Sequence, residues 1–241
     1  IHFTSTDAQA VLPNDYTFVA GDSGAHTFID GVTLKTAGTQ SVTVADTVGG
    51  QTGSQTGITV NPTGLDHFTV TGITDPVTAG GQTSPVVTAY DVYDNIKTDY
   101  VGTAHFTSSD ALAVLPGNYT FVAGDNGTHT FNNGVTLKTA GEQSVTITDT
   151  VGGQTGSQTG ITVNFAVLDH FTVTEISNPI TAGALSSPVV TACDIYGNTL
   201  TSYTGTIHFT SSDTQAVLPG NYTFVAGDSG AHTFIDGVTL K

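Results

Sequence analysis

The chain has 241 residues and a formal net charge of −16, from 20 acidic residues against four lysines and no arginine. That balance excludes broad contact with nucleic acid or with an anionic membrane surface, since both need clustered Lys and Arg. One cysteine, Cys193, excludes an intrachain disulfide framework, and no apolar run is long enough for a membrane span. Charged residues make up only 10% of the chain, so solubility falls to Thr, Ser, Asn, Gln and Gly. Threonine also favours strands.

Residues 1–64 begin with IHFTS, in which Ile1 and Phe3 alternate with His2 and Thr4. AVLP ends in a proline stop, YTFV predicts a short strand, and AGDSG predicts a turn. HTF and GVTLK are strand-like, QSVTVADT alternates again, and after the turn-rich VGGQTGSQTG the segment ITV (58–60) closes the unit. Short strands between turn signals, with no sustained helical period, predict an all-β sandwich. In residues 65–167, LDHFTVTG is the first strand and DPVTAGGQ a Pro/Gly-rich corner. SPVVTAYDVY follows, with Val87, Ala89 and Asp91 on one face, and Asp94-Asn95 turns the chain. Seven or eight strands are expected there, enough for two packed sheets.

The chain is a tandem array. The stretch beginning HFTSSDALAVLPGNYTF at His105 recurs from His2 and from His208, in steps of 103 residues, and LDHFTV starts at both Leu65 and Leu168. Residues 1–103 and 104–206 match at 74 of 103 positions, and 207–241 differs from 1–35 at four. A fixed period marks one unit reused. We therefore divide the chain into a partial unit one with the later strands (1–64), a complete unit two (65–167) and a partial unit three with the earlier strands (168–241). The linkers NPTG (61–64) and NFAV (164–167) are short, so neighbouring units are expected end to end with limited bending. Exchanges such as Val44/Ile147 and Val77/Ile180 keep volume, as a core allows, whereas Ile29/Asn132 and Gly72/Glu175 change character, as a surface allows.

The strand-and-turn strings VVTAYDVYDN and VVTACDIYGN resemble the signature of bacterial immunoglobulin-like repeats of the invasin/intimin type. The longer string from HFTSSD to GEQSVTITDT is similar to repeats of very long bacterial and archaeal surface proteins. The resemblance implies tandem immunoglobulin-like sandwiches in an extracellular or cell-surface stalk, adhesin or filament, and no particular ligand.

Candidate chemistry is sparse. GDSG at 21–24 and 227–230 matches a serine-protease nucleophile motif, but unit two has Asn126 in place of the serine. Catalysis also needs a positioned base, so ordinary turn chemistry is expected and no enzyme. The eight histidines alternate with Phe on strands and are expected to face solvent. Asp91, Asp94 and Asn95, with Asp99 nearby, could offer oxygens to calcium, as could Asp194 and Asn198 in the next copy. That copy has Gly197 and Ser202 where unit two has Asp94 and Asp99, which weakens the ligand set, and Asp91 is expected rather to accept backbone hydrogen bonds that fix the turn. The Asn61–Asp66 junction is a second calcium candidate. No other cofactor is expected. Asn118, Asn126 and Asn221 head N-x-S/T sequons and are glycosylation candidates. Cys193 replaces Tyr90 of the previous unit and is expected at a surface or edge.

The expected function is a structural segment of a long extracellular fibre, stalk or surface filament. Its partners are then neighbouring repeats of the same long chain, with lateral or end-to-end self-association open. Strand exchange between the two incomplete ends would leave a surplus, so a continuous longer chain is the simpler expectation. The alternative is an adhesin, in which loops around Tyr93, Tyr100 and Tyr119, or a module outside this sequence, bind glycans or a partner cell surface.

Overall fold

The computed structural model describes residues 1–241 and is all-β, with no α-helix. Unit one holds β1 (His2–Ser5), β2 (Gly38–Ala45) and β3 (Thr52–Val60). Unit two holds β4 (Leu65–Thr71), β5 (Val77–Thr78), β6 (Gln82–Thr83), β7 (Val86–Asp91), β8 (Thr103–Ser108), β9 (Tyr119–Thr120), β10 (Thr128–Thr130), β11 (Val135–Thr136), β12 (Gly141–Asp149) and β13 (Thr155–Asn164). Unit three holds β14 (His170–Thr174), β15 (Leu185–Ser186), β16 (Val189–Cys193), β17 (Thr206–Ile207), β18 (Tyr222–Thr223), β19 (Ala231–Thr233) and β20 (Val238–Thr239).

Unit two is a two-sheet sandwich. One sheet runs β10-β7-β4 and the other β5-β13-β12-β8-β9, with β6 and β11 paired at the side. Period-two alternation supplies the inner faces. Phe68, Val70, Val87 and Ala89 come from the first sheet, and Ala104, Phe106, Val145, Ile147, Ile161 and Val163 from the second. All belong to one cluster of 18 buried residues drawn from Phe68 to Val163. Most strands pair antiparallel, and β5 pairs parallel with the end of β13 through Val77 and Val163. That contact brings the DPVTAGGQ corner beside the exit strand of the unit.

The partial units differ from unit two in a physically simple way. Unit one carries the counterpart of the second sheet, in the order β1-β2-β3. It forms no strands at YTFV (16–19) or HTF (26–28), and GVTLK (31–35) keeps only the isolated bridge between Val11 and Thr33, contrary to the pattern-based expectation. In unit two parts of these segments are strands: Thr128–Thr130 pairs with β7, Val135–Thr136 with β6, and Tyr119–Thr120 with Thr103 and Ala104 of β8. Unit one has no counterparts of β6 and β7, and its opening residues pair with YTFV only where Ile1 and Tyr16 exchange backbone bonds. Unit three carries the first sheet as β14-β16-β19, without counterparts of β12 and β13. Its Phe171 is 37% exposed where Phe68 is 3% exposed, so the covering sheet closes the exposure that one sheet alone leaves. Cys193 is buried, not at an edge: β16 lies between β14 and β19, and Cys193 pairs with His170.

A core change should therefore cost more in unit two. Ile147→Ala is expected to destabilise that unit by about 2–4 kcal/mol in urea denaturation. Val44→Ala, at the half-buried equivalent in unit one, is expected to cost less than half as much.

Candidate functional site

The turn after β7 carries the chemistry flagged in the sequence, and it lies at the junction between units one and two. Asp94 caps the turn with a positive φ of 63°, a left-handed conformation that Asp tolerates and Gly adopts freely. Its counterpart is Gly197, at 83°. Backbone geometry thus explains the Asp94/Gly197 exchange. The Asp94 carboxylate is exposed, with His67 Nε2 at 3.8 Å, and Asp99 bonds Lys97 at 2.7 Å.

Asp91 is fully buried and spends both oxygens on hydrogen bonds. One accepts the Tyr93 and Asn95 amide N–H groups, each at 2.9 Å. The other accepts the Thr63 N–H at 2.8 Å, the Thr63 hydroxyl at 3.3 Å and the Asn95 side-chain amide at 2.9 Å. Asp194 repeats the pattern, taking the N–H groups of Tyr196, Asn198 and Ala166 and the Asn198 side-chain amide, all at 2.8–2.9 Å. Each aspartate gathers its own turn and the linker entering its unit. Burial pushes the Asp91 carboxyl up, but the bonds from Asn95, Thr63 and Tyr93 outweigh it and hold the group at about 2. Asp194 is lowered by the same balance, with burial opposing and Asn198, Ala166 and Tyr196 prevailing.

Asn95 then crosses the junction. Its Nδ2 donates to the Lys35 carbonyl at 2.7 Å, and its Oδ1 accepts the Ala37 N–H at 2.7 Å. Asn198 bonds the Lys138 carbonyl at 2.7 Å and the Ala140 N–H at 2.8 Å. This two-point bond imitates a strand neighbour, and the donor pattern fixes the orientation of each amide. The strip that receives Asn198 is held from its other side by Asp110, which is buried and accepts the N–H groups of Lys138 and Thr139 and the Thr139 hydroxyl. The Thr139 carbonyl takes the Gln143 amide at 3.2 Å. Asp7 and Gln40 hold Lys35–Ala37 in the same way. Lys35 Nζ stands 5.5 Å from the centre of the Tyr93 ring, and Lys138 Nζ 5.8 Å from that of Tyr196, as cation–π pairs.

The structure brings Asp91 with Asn95, and Asp194 with Asn198, and leaves Asp94 and Asp99 outside the clamps. No three or more His, Cys, Asp or Glu side chains converge as a cation cage. Asn118, Asn126 and Asn221 are all exposed. His105 Nδ1 meets Asn118 Oδ1 and His208 Nδ1 meets Asn221 Oδ1, each at 2.7 Å, while Asn126 caps a short turn with φ at 49°. Of the three tyrosines read as binding loops, Tyr100 is buried with its hydroxyl on Asp149. Tyr93 lies beneath Lys35, and Tyr119 bonds Asp125.

Sequence reasoning missed a triad at each copy of GDSG/GDNG. Asp125 accepts the Tyr119 hydroxyl at 3.1–3.2 Å, the His129 Nδ1 at 2.9 Å and the Val122 N–H at 2.8 Å, and the His129 and Tyr119 rings stack at 4.0 Å. His129 is therefore half-buried rather than simply facing solvent. Ser23, Asn126 and Ser229 are the left-handed residues that close these turns, which accounts for the Ser/Asn exchange. The recurrence of Tyr, Asp and His in all three copies was the available signal. Asp110 was marked in the same way by its equivalents Asp7 and Asp213.

No protein-family model matches the chain, and no curated protein sequence does. Among solved structures, the Escherichia coli adhesin FdeC superposes with a TM-score of 0.41 at 17% identity, over 83% of this chain and 65% of that one. The S-layer protein SbsC gives 0.30 at 20% identity, over 90% of this chain and 25% of that one. Its domains 4–9 give 0.30 at 18%, over 99% and 36%. The chain thus spans less than two thirds of each of these structures. A β-glucuronidase of Parabacteroides merdae also superposes, at 0.25 and 14% identity. Superpositions this loose reach proteins of different tasks.

Removing Asn198 leaves the Lys138 carbonyl and Ala140 N–H without these partners. Asn198→Ala is expected to lower unit-three stability by about 1–3 kcal/mol in urea titration. The clamps also carry a pH dependence. Asp91 has a folded pKa below its unfolded value of 3.8, so its contribution is complete above that value and is lost as pH falls toward about 2. Asp91→Asn should flatten this acid limb in thermal melts recorded from neutral pH downward.

Proposed function

We propose that the chain is a load-bearing spacer, a run of tandem sandwiches within a long extracellular fibre, stalk or surface filament. The observation that carries this reading is the asparagine latch. At both junctions a side chain anchored in one unit bonds the backbone of the preceding unit at two points. A linker alone would allow neighbouring sandwiches to swing, and free relative motion is the default when an interface is small. Here the linker, the turn and the preceding unit meet on one aspartate–asparagine pair, which converts a flexible string into a directed one. The surface fits the same role. Net charge is strongly negative at low charge density, and Tyr100, Tyr93 and Tyr119 are engaged by Asp149, Lys35 and Asp125 rather than left free to stack on sugars.

Neighbouring repeats of the same kind are then the natural partners, and calcium is not required for the clamp because N–H groups already satisfy its carboxylates. Single-molecule stretching of the chain tests the spacer reading. The expected trace shows a distinct unfolding event for unit two, with a contour gain of roughly 30 nm from about 3.4 Å per extended residue. A featureless extension at low force would sink it.

A further inference from the structure

The turn of unit three does more than present Asn198. Tyr196, at its tip, leans onto unit two and packs, half-buried, against that unit's core. It lies against the corner at Gly80. A Cβ built on Gly80 would overlap the Tyr196 hydroxyl oxygen and lie 2.8 and 2.9 Å from two ring carbons. Three backbone hydrogen bonds hold the corner. Ala79 N–H bonds the Asn164 carbonyl at 2.7 Å, Gly80 N–H the Leu137 carbonyl at 2.8 Å and Gly81 N–H the Thr78 carbonyl at 2.8 Å. It therefore ties the DPVTAGGQ segment to the exit strand and to the strip that Asn198 grips, while Lys138 lies over the Tyr196 ring.

The geometry points to a docking surface at this corner, built to accept the Asp-x-Tyr-x-Asn turn of the following sandwich, with Gly80 and Tyr196 as the pair that sets the angle between units. The partner is another sandwich with tyrosine at the centre of that turn. A side chain at position 80 would push the ring out of this seat. This deepens the spacer reading and rests on it: the latch holds neighbouring units in one orientation, and the tyrosine seat sets the angle of that orientation. Both halves recur in the sequence, since Tyr93 occupies the same turn in unit two and Gly183 the same corner in unit three.

Gly183 supplies an internal control. Its φ is 85° against 84° for Gly80, and its N–H bonds the Leu240 carbonyl at 2.7 Å, but nothing lies within 4 Å of a Cβ built on it. Alanine at either position carries the same left-handed backbone strain, and only alanine at 80 meets a ring. Residual dipolar couplings on the full chain report whether units two and three share one alignment tensor. The expected result is a shared tensor for the wild type and for Gly183→Ala. Gly80→Ala and Tyr196→Ala should separate the tensors, with the unit-three magnitude falling about two-fold as its motion is freed. Tyr196→Ala keeps the test open should Gly80→Ala misfold, and adding Gly80→Ala to Tyr196→Ala should cause no further separation. A shared tensor retained in Tyr196→Ala, or equal disruption by Gly183→Ala, overturns the docking surface alone. Independent tensors already in the wild type overturn the spacer reading with it.

Discussion

Asp91 and Asp194 carry negative charge into positions with no solvent exposure, and the array depends on how those charges are satisfied. Burying a carboxylate is costly unless it is fully hydrogen-bonded. Here the donors are backbone N–H groups, which makes each aspartate a gathering point for chain that would otherwise be loose. Thr63 and Ala166 arrive from the linkers, and Tyr93 and Tyr196 from the turns. The asparagine that also donates to the carboxylate is thereby fixed in rotamer, so its remaining donor and its acceptor are already aimed at the preceding unit. Little side-chain entropy remains to be lost when the junction forms.

The same logic extends one step back along the chain. The strip Lys138–Ala140 receives Asn198 in a fixed conformation because Asp110 and Gln143 hold it from below. Order is therefore passed from a loop in one unit, through a backbone strip, to a turn in the next. The two junctions share this scheme and differ in detail. Thr63 adds a hydroxyl bond to Asp91, and Gln9 reaches the Tyr93 carbonyl at 3.4 Å. At the second junction Ala166 packs against the unit-two core instead. One joint is more polar and the other more apolar.

Much of the fold could be read from alternation. Phe68 with Val70, and Val145 with Ile147, announce inner faces by period two, and the volume-keeping exchanges between units mark the same positions. What alternation could not convey is that strand formation needs a partner. The Tyr-Thr of YTFV is a strand in unit two and irregular in unit one, although the letters are identical, because its two-residue pairing with Thr103 and Ala104 is reduced in unit one to the backbone bonds between Ile1 and Tyr16. The site was legible within its turn, where Asp91 accepts backbone hydrogen bonds as its place beside Asp94-Asn95 suggests, but not in its reach across the junction. Asp91, Asn95, Asp194 and Asn198 stood out as clustered oxygens and so suggested a cation. Their remaining partners, in the linker and the preceding unit, are N–H groups and carbonyls between 28 and 60 residues upstream, which no local spacing reveals. Asp110 and the Tyr119–Asp125–His129 triad were hidden differently: each looks like turn chemistry until the fold closes.

The central claim is that the aspartate–asparagine clamp, rather than linker length, holds neighbouring sandwiches in one orientation. Pulsed dipolar spectroscopy between spin labels on units two and three, with Cys193 replaced, tests it most directly. The wild-type chain should give a single narrow distance distribution at neutral pH, and Asn198→Ala should broaden it with the linker sequence untouched. An equally narrow distribution in Asn198→Ala, or a broad one in the wild type, would contradict the claim.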